Sequence, residues 1–402
     1  MKILQVNCVY DQGSTGIITA SIHRALLAAG HESVVCYGRR DAQKEPYVHK
    51  ICNDFFGKIN HGIAMITGFM YGGCFFSTGK LISIIKKEKP DLVHLQCING
   101  NFVNIYRLVQ WLKMAAIPTV LTIHAEFMYT SNCGYSLGCE GWKQGCKNCP
   151  NPKKATGTLL ISRTAESFRK MQRSFEGFEK LVVVGPSDWI CCRADRSAIL
   201  SGKSFRTIYN GIDTKNFCPK QPGNIRQEQN IAENEKLVLF VTATFDETKG
   251  ADRFLELAKS FDGMPYRFAV AGAMAPENSP ENVCFLGRID SRKELAELYA
   301  AADATVICSR LDNYPTVCLE SAACGTPVVG FDVGGVAEAI GNGMGKVVPD
   351  GDIIAMHAAL EEICAIPKSE WCLQAKSLTK SLSDEHMCRD YLALYKEILK
   401  GE

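Results

Sequence analysis

The chain has 402 residues, 46% hydrophobic and 22% charged, with a formal net charge of +2. That length supports two domains with real cores, and the composition is that of a soluble globular protein rather than a fibrous or disordered one. The small net charge gives no reason to expect a nucleic-acid partner, yet it hides a split: residues 1–218 carry 27 Lys+Arg against 15 Asp+Glu, and the remainder 18 against 28. A basic first half suits an anionic membrane or a phosphorylated acceptor.

In chain order, KILQVN (2–7) reads as a buried strand, followed by the glycine loop GSTG (13–16) and a helix over 17–30. The opening residues hold no long apolar region and no small-residue cleavage site, so a cytoplasmic location is expected. In that compartment most of the 19 cysteines should be reduced core residues. SVVCYG (33–38) is a second strand. Residues 59–79 carry no Asp, Glu, Lys or Arg between Lys58 and Lys80, but five glycines, an Asn and a His weaken them as a spanning helix. A buried or membrane-apposed segment is the expectation. Strands at 91–96, 119–124 and 181–187 alternate with helices near 81–90, 103–115 and from 188. Continuous apolar strands alternating with helices predict a parallel sheet covered on both faces.

Residues 218–235 are polar, with Pro and Gly, and read as a linker. Strands then recur at 236–244, 267–272, 283–287, 304–309 and 327–331, with a last helix over 386–400. The expected architecture is α/β: two doubly wound Rossmann-like domains facing across a cleft at the carboxyl ends of their strands. The first covers 1–217, including a Cys-rich loop at 125–156. The second covers 218–380, and a C-terminal helix, 381–402, packs back on the first domain.

The stretch LDNYPTVCLESAACGTPVV (311–329) places Asp312 and Glu320 around a short helix. Pro315 suits the first turn, small residues 321–324 allow close approach to the sheet, and Gly325 ends the helix. Its free N–H groups favour an anion such as a diphosphate, and Glu320 suits a vicinal diol such as a ribose. Cys133, Cys139, Cys146 and Cys149 lie in a Gly-rich loop with a terminal Cys-x2-Cys. The set suits structural zinc; an iron–sulfur cluster, a redox pair and plain reduced thiols are the rivals. The only Asp-x-Asp, at 350–352, reads as a turn. Gly334 and Gly335 fit a binding loop or a turn equally.

These residues carry a resemblance. GSTG, TIHAE, VGPSDWI, YNGID, KGADRFLELA, FLGRID, ELYAAADATVICS, the acidic block and VGGVAE together resemble glycosyltransferase family 4, retaining enzymes of the GT-B fold. The acidic block is similar to the family's Glu-x7-Glu signature, with Asp312 in place of the first Glu. Ala243-Thr244-Phe245 stands where the family commonly has Gly-Arg-Leu, so a phosphate-contacting cation is missing. The resemblance implies transfer of a hexose-type sugar from a UDP- or GDP-linked donor to a glycan acceptor, of the polyprenyl-diphosphate-linked kind, in surface-polysaccharide assembly. It implies His124, Lys249 and Asp312 as catalytic residues. It implies Gly13, Gly16, Lys249, Arg288, Asn313, Tyr314, Pro315, Thr316 and Glu320 as donor-binding residues. No cofactor is required for transfer, and zinc in the cysteine loop would be structural. Contact of the basic first domain with the inner face of the cytoplasmic membrane is expected. A nucleotide-sugar epimerase of the same architecture, or a degenerate nucleotide-binding module, are the alternatives.

Overall fold

The computed structural model describes residues 1–401 apart from 154–156, 277–278 and 342. Part of the expected 125–156 loop and the terminal residue 402 therefore lie outside the described residues. The chain divides into two compact units, 1–209 with 387–402, and 210–386.

The first unit runs β1 (Lys2–Asn7), α1 (Gly13–Ala28), β2 (Glu32–Tyr37), β3 (Val48–Lys50), α2 (Asp54–Thr67), α3 (Phe75–Glu88), β4 (Leu92–Leu95), α4 (Ile105–Met114), β5 (Thr119–Thr122), α5 (Phe127–Thr130), α6 (Thr164–Phe175), β6 (Leu181–Gly185), α7 (Asp188–Asp195) and β7 (Ser204–Thr207). Its seven strands are all parallel, in the order β3-β2-β1-β4-β5-β6-β7. The second unit runs α8 (Ile225–Glu228), β8 (Lys236–Val241), α9 (Ala251–Lys259), β9 (Tyr266–Ala271), β10 (Val283–Gly287), α10 (Arg292–Ala301), β11 (Ala304–Ile307), α11 (Thr316–Ala323), β12 (Val328–Phe331), α12 (Val336–Ile340), β13 (Gly345–Val348), α13 (Ile353–Ala365) and α14 (Lys368–Leu382). Its six strands are parallel in the order β10-β9-β8-β11-β12-β13. The last helix, α15 (Asp384–Lys400), begins in the second unit and joins the first.

Central strands are buried from end to end, as parallel sheets require: β4, β5, β11 and β12 expose nothing. Strand order reverses direction between β1 and β4 in one sheet and between β8 and β11 in the other. The loops leaving those four strands splay apart at their carboxyl ends, which is where open α/β sheets bind ligands.

The compact units divide at 209/210, eight residues before the expected 217/218. Ile212 donates its N–H to Leu382 O (2.9 Å) and accepts from Asp384 N–H (2.9 Å), which ties 210–218 to the second unit. The final helix buries Met387, Tyr391 and Tyr395 with Ile3, Ile22 and Val184 of the first unit. Residues 59–79 do not form one helix. Helix α2 stops at Gly68 in a left-handed turn (φ 67°), and α3 starts at Phe75. Among the described residues no helix is long and apolar enough to cross a membrane. None of the 19 cysteines forms a disulfide, and Cys192 alone among them is exposed rather than buried or half-buried.

Candidate active site

In the second unit the site is built from the two loops at the β8/β11 reversal. After Val241 the chain turns so that the Asp246 carboxylate accepts the N–H groups of Thr248 (2.9 Å) and Lys249 (3.1 Å). Gly250 follows with φ 75°, and a Cβ there would lie 1.9 Å from Cys308 O, so only glycine lets this turn press on the end of β11. Arg310 locks the contact from the other side: its N–H donates to Thr248 O (3.0 Å), and its guanidinium grips Asp252 at 2.7 and 2.6 Å. The result is that Lys249 Nζ stands 2.7 Å from Asp312 Oδ2. Two of the three expected catalytic residues thus form an ion pair, with side chains 28% and 18% exposed.

Asp312 is itself held from behind. Its carbonyl accepts the Gly335 N–H (2.9 Å), and a Cβ on Gly334 (φ 61°) would lie 1.9 Å from that oxygen. The glycine pair is therefore a turn that supports Asp312. Asn313 is buried and donates its N–H to Asp312 Oδ1 (3.1 Å). Pro315 sits at the cap rather than inside the first turn, and α11 begins at Thr316. The helix lies close to the sheet because its inner residues are small: Ser321 Oγ donates to Thr305 Oγ1 (2.8 Å), and Ala322 and Ala323 are buried. Gly325 ends it with φ 78°.

Glu320 accepts the Tyr299 hydroxyl at 3.2 Å. Burial pushes its carboxyl up to about 7, only partly offset by Tyr299 and by the charge of Arg292. Arg288 stands apart, 82% exposed and paired with Asp290 at 2.6 Å. Phe245, in the segment that replaces Gly-Arg-Leu, packs against Phe285 and Phe240 with ring centroids 5.3 and 6.0 Å apart, so that loop is anchored by an apolar contact. The 350–352 turn has Asp350 on Arg253 (2.8 Å) and Asp352 capping α13 through Ala355 N–H (2.9 Å).

In the first unit, Gly13 starts α1 with φ 61°, and a Cβ on Gly16 would lie 3.1 Å from Val9, so the helix start sits tight on the loop after β1. His124 follows β5, and burial lowers its pKa to about 4, leaving a neutral imidazole. His94 lies beneath, hydrogen-bonded to Thr122 Oγ1 (2.8 Å) and the Tyr395 hydroxyl (2.7 Å), and burial, with the neighbouring His124, lowers it to about 3.

All four expected metal ligands, Cys133, Cys139, Cys146 and Cys149, border one cavity of about 30 Å³. Four thiols suit a soft tetrahedral ion by number and kind. Among the described residues, however, no three His, Cys, Asp or Glu side chains converge as a metal site. Glu126, fully buried, ties this loop down: it accepts from the Tyr129 hydroxyl, from Ser136 N–H and from Arg193 Nε (3.1 Å). Arg193 also reaches Ser136 Oγ (3.0 Å) and Glu140 (3.1 Å) and lies over the Trp142 ring. Sequence reading missed Tyr299, His94, Arg193 and the role of Glu126. Their only sequence signal is a polar residue inside an apolar run.

Two family models match. The one described as Glycosyltransferase Family 4 covers residues 16–216, and the one described as Glycosyl transferases group 1 covers 223–376. WcaC of Escherichia coli K12, a glycosyl transferase assigned to colanic acid biosynthesis, is 23% identical over 99% of this chain and 100% of its own length. Among solved structures, the sucrose-phosphate synthase of Thermosynechococcus elongatus superposes with a TM-score of 0.68 at 18% identity, covering all of both chains. HepE of Anabaena, solved with UDP-glucose, has a TM-score of 0.65 at 15% identity over 99% of this chain and 100% of that one.

Proposed function

The chain belongs to Glycosyltransferase Family 4 and has the GT-B fold, and from that premise we propose that it moves a hexose-type sugar from a UDP- or GDP-linked donor, with retention at the anomeric carbon, to a polyprenyl-diphosphate-linked glycan acceptor in surface-polysaccharide assembly. As a family member it is a glycosyltransferase. The donor class is supported by HepE, which holds UDP-glucose, and the pathway class by WcaC.

The observation that carries the reading is the Lys249–Asp312 pair at the strand-order reversal, with Glu320 on the helix that follows. Breaking a nucleotide–sugar bond leaves charge on the diphosphate, and a fixed positive field must receive it. Lys249 and the N–H groups at the start of α11 supply that field. Asp312 is the ion-pair partner of Lys249. Donor binding exchanges that pair: the ammonium turns to phosphate oxygens, and the carboxylate becomes free to accept hydrogen bonds from the sugar's hydroxyls. Glu320, as carboxylate, accepts from the ribose diol. His124, being neutral, hydrogen-bonds the transferred sugar without adding charge beside the reacting carbon. Arg288 contributes only by leaving Asp290. The scheme needs no metal. The four cysteines, which border one cavity without converging as a metal site, are proposed to draw together as ligands of one structural zinc ion without part in transfer.

The test is a thermal-shift screen of nucleotide sugars, followed by transfer of the best one to lipid-linked acceptors, with product configuration read by NMR. Lys249→Ala should fold and lose about 10²- to 10³-fold in turnover. Donor consumption independent of acceptor would favour the epimerase, and binding without turnover the nucleotide-binding module.

A further inference from the structure

Helix α2 turns Gly57, Asn60 and Ala64 inward. Gly57 and Ala64 are buried, and Asn60 accepts the Cys74 N–H at 2.9 Å. The opposite side carries Phe55, Ile59, Ile63 and Ile66, exposed at 71, 43, 54 and 52%. At 100° per residue these four fall within an arc of about 80°. A surface helix of a folded domain ordinarily shows water the reverse pattern. The apolar surface continues on both sides. The Phe56 ring meets the Phe76 ring edge-on at 6.1 Å, and Phe76, at the start of α3, is 83% exposed. At the other end, Leu159 N–H donates to Met65 O (2.9 Å), which lays the exposed run Leu159–Ile161 along the end of α2.

Within these segments the charges are of one sign, the flanking acids Asp54 and Glu166 being paired with Lys50 and Arg163. No acidic residue occurs between Asp54 and Glu88, where Lys58, Lys80, Lys86 and Lys87 lie. None occurs between Glu140 and Glu166, where the sequence has four lysines and Arg163. A second copy of the chain on this face would set like charges against each other across a two-fold axis. An anionic bilayer satisfies both features: acyl chains take the apolar side chains, and headgroups take the lysines. No described helix is long and apolar enough to cross a bilayer, so contact lies in the plane of the interface.

We propose that the outer face of α2, the start of α3 and the 159–161 run seat this protein on an anionic lipid surface. This stands independently of the sugar-transfer reading: vesicle binding and nucleotide binding are measured separately, and either holds or fails alone.

The experiment is co-sedimentation with vesicles of phosphatidylethanolamine containing about one-quarter phosphatidylglycerol, against pure phosphatidylcholine. The full chain should bind the anionic vesicles and weaken as salt rises. The combined Ile63→Ser, Phe76→Ser and Leu160→Ser variant should lose at least about tenfold in affinity with an unchanged melting temperature, because its side chains are exposed. Lys58→Gln with Lys80→Gln should reduce the preference for anionic lipid. Phe76→Trp should show blue-shifted emission quenched by brominated acyl chains. The proposal is overturned by no binding to the anionic vesicles, by equal binding of the serine variant, by unquenched emission from the Phe76→Trp variant, or by a soluble dimer that the serine variant dissolves.

Discussion

Glu320 shares a proton with solvent near neutrality because burial pushes its carboxyl up to about 7 from an ordinary 4.5. The folded chain holds that proton while the unfolded chain releases it, so the group's contribution to stability is greatest below about 4.5 and is lost as pH rises toward 7. Ribose binding runs the other way, since a diol needs the carboxylate as acceptor. Calorimetric titration of the preferred nucleoside diphosphate should therefore show Kd rising about tenfold per pH unit below 7 and level above it. Glu320→Gln should bind more weakly at pH 8 and give a flat profile. A slope that survives the substitution would place the titration elsewhere. His124 cannot supply it, since burial keeps its imidazole neutral down to about 4. Asp312 and Glu320 were legible from their spacing, and Lys249 from its match to a family motif. Their partners were not. Tyr299 reaches Glu320 from 21 residues away, and Arg193 reaches Glu126 from 67, distances over which a linear pattern carries no geometry.

At the level of elements, the reading ran past the ends of strands where the site begins. It extended one strand to Thr244 and another to Ser309, but β8 ends at Val241 and β11 at Ile307. Thr242, Cys308 and Ser309 stay buried past the strand ends while Ala243 and Thr244 are already exposed, and the ladder stops because the chain leaves the sheet to form the Lys249 and Asp312 loops. The edge strands β3 and β7 went unread, since half-exposed VHK and SFRT lack an apolar run. Helix α2 was hidden because its apolar residues face outward. The cysteine loop is an element whose spacing announced it and whose bracing did not: the Glu126–Arg193 contact already ties it down. Protein purified under reducing conditions should contain about one zinc per chain, and cobalt exchanged into the site should show thiolate charge-transfer bands. Cys149→Ser should lower both. A metal-free chain with an unchanged melting curve would leave the loop to Glu126 and Arg193 alone.

For the molecule as a whole, the repeat of one architecture was readable from alternating patterns, and the strand order was not. Parallel pairing of β1 with β4 joins residues about ninety positions apart, and no local signal encodes it. Residues 387–402 of the last helix group with the first unit. Its Tyr391 hydroxyl meets Thr122 Oγ1 at 3.0 Å, and Tyr395 meets His94. Removing residues 387–402 exposes that apolar layer and takes one hydrogen-bond partner each from buried His94 and Thr122, which among the described residues keep only each other. Each large side chain lost costs about 1.5–3 kcal/mol, so the deletion should remove most of a typical domain's stability. Urea unfolding should show the first transition to collapse and the second unit's transition to remain.

That helix also sets an order of events during synthesis. The first unit lacks a piece of its own core until residues 387–395 have been made, whereas residues 210–386 emerge as one uninterrupted run. Residues 1–209 are then completed only after residues 210–386 have emerged, and a stop codon placed at position 387 should harm the first unit rather than the second.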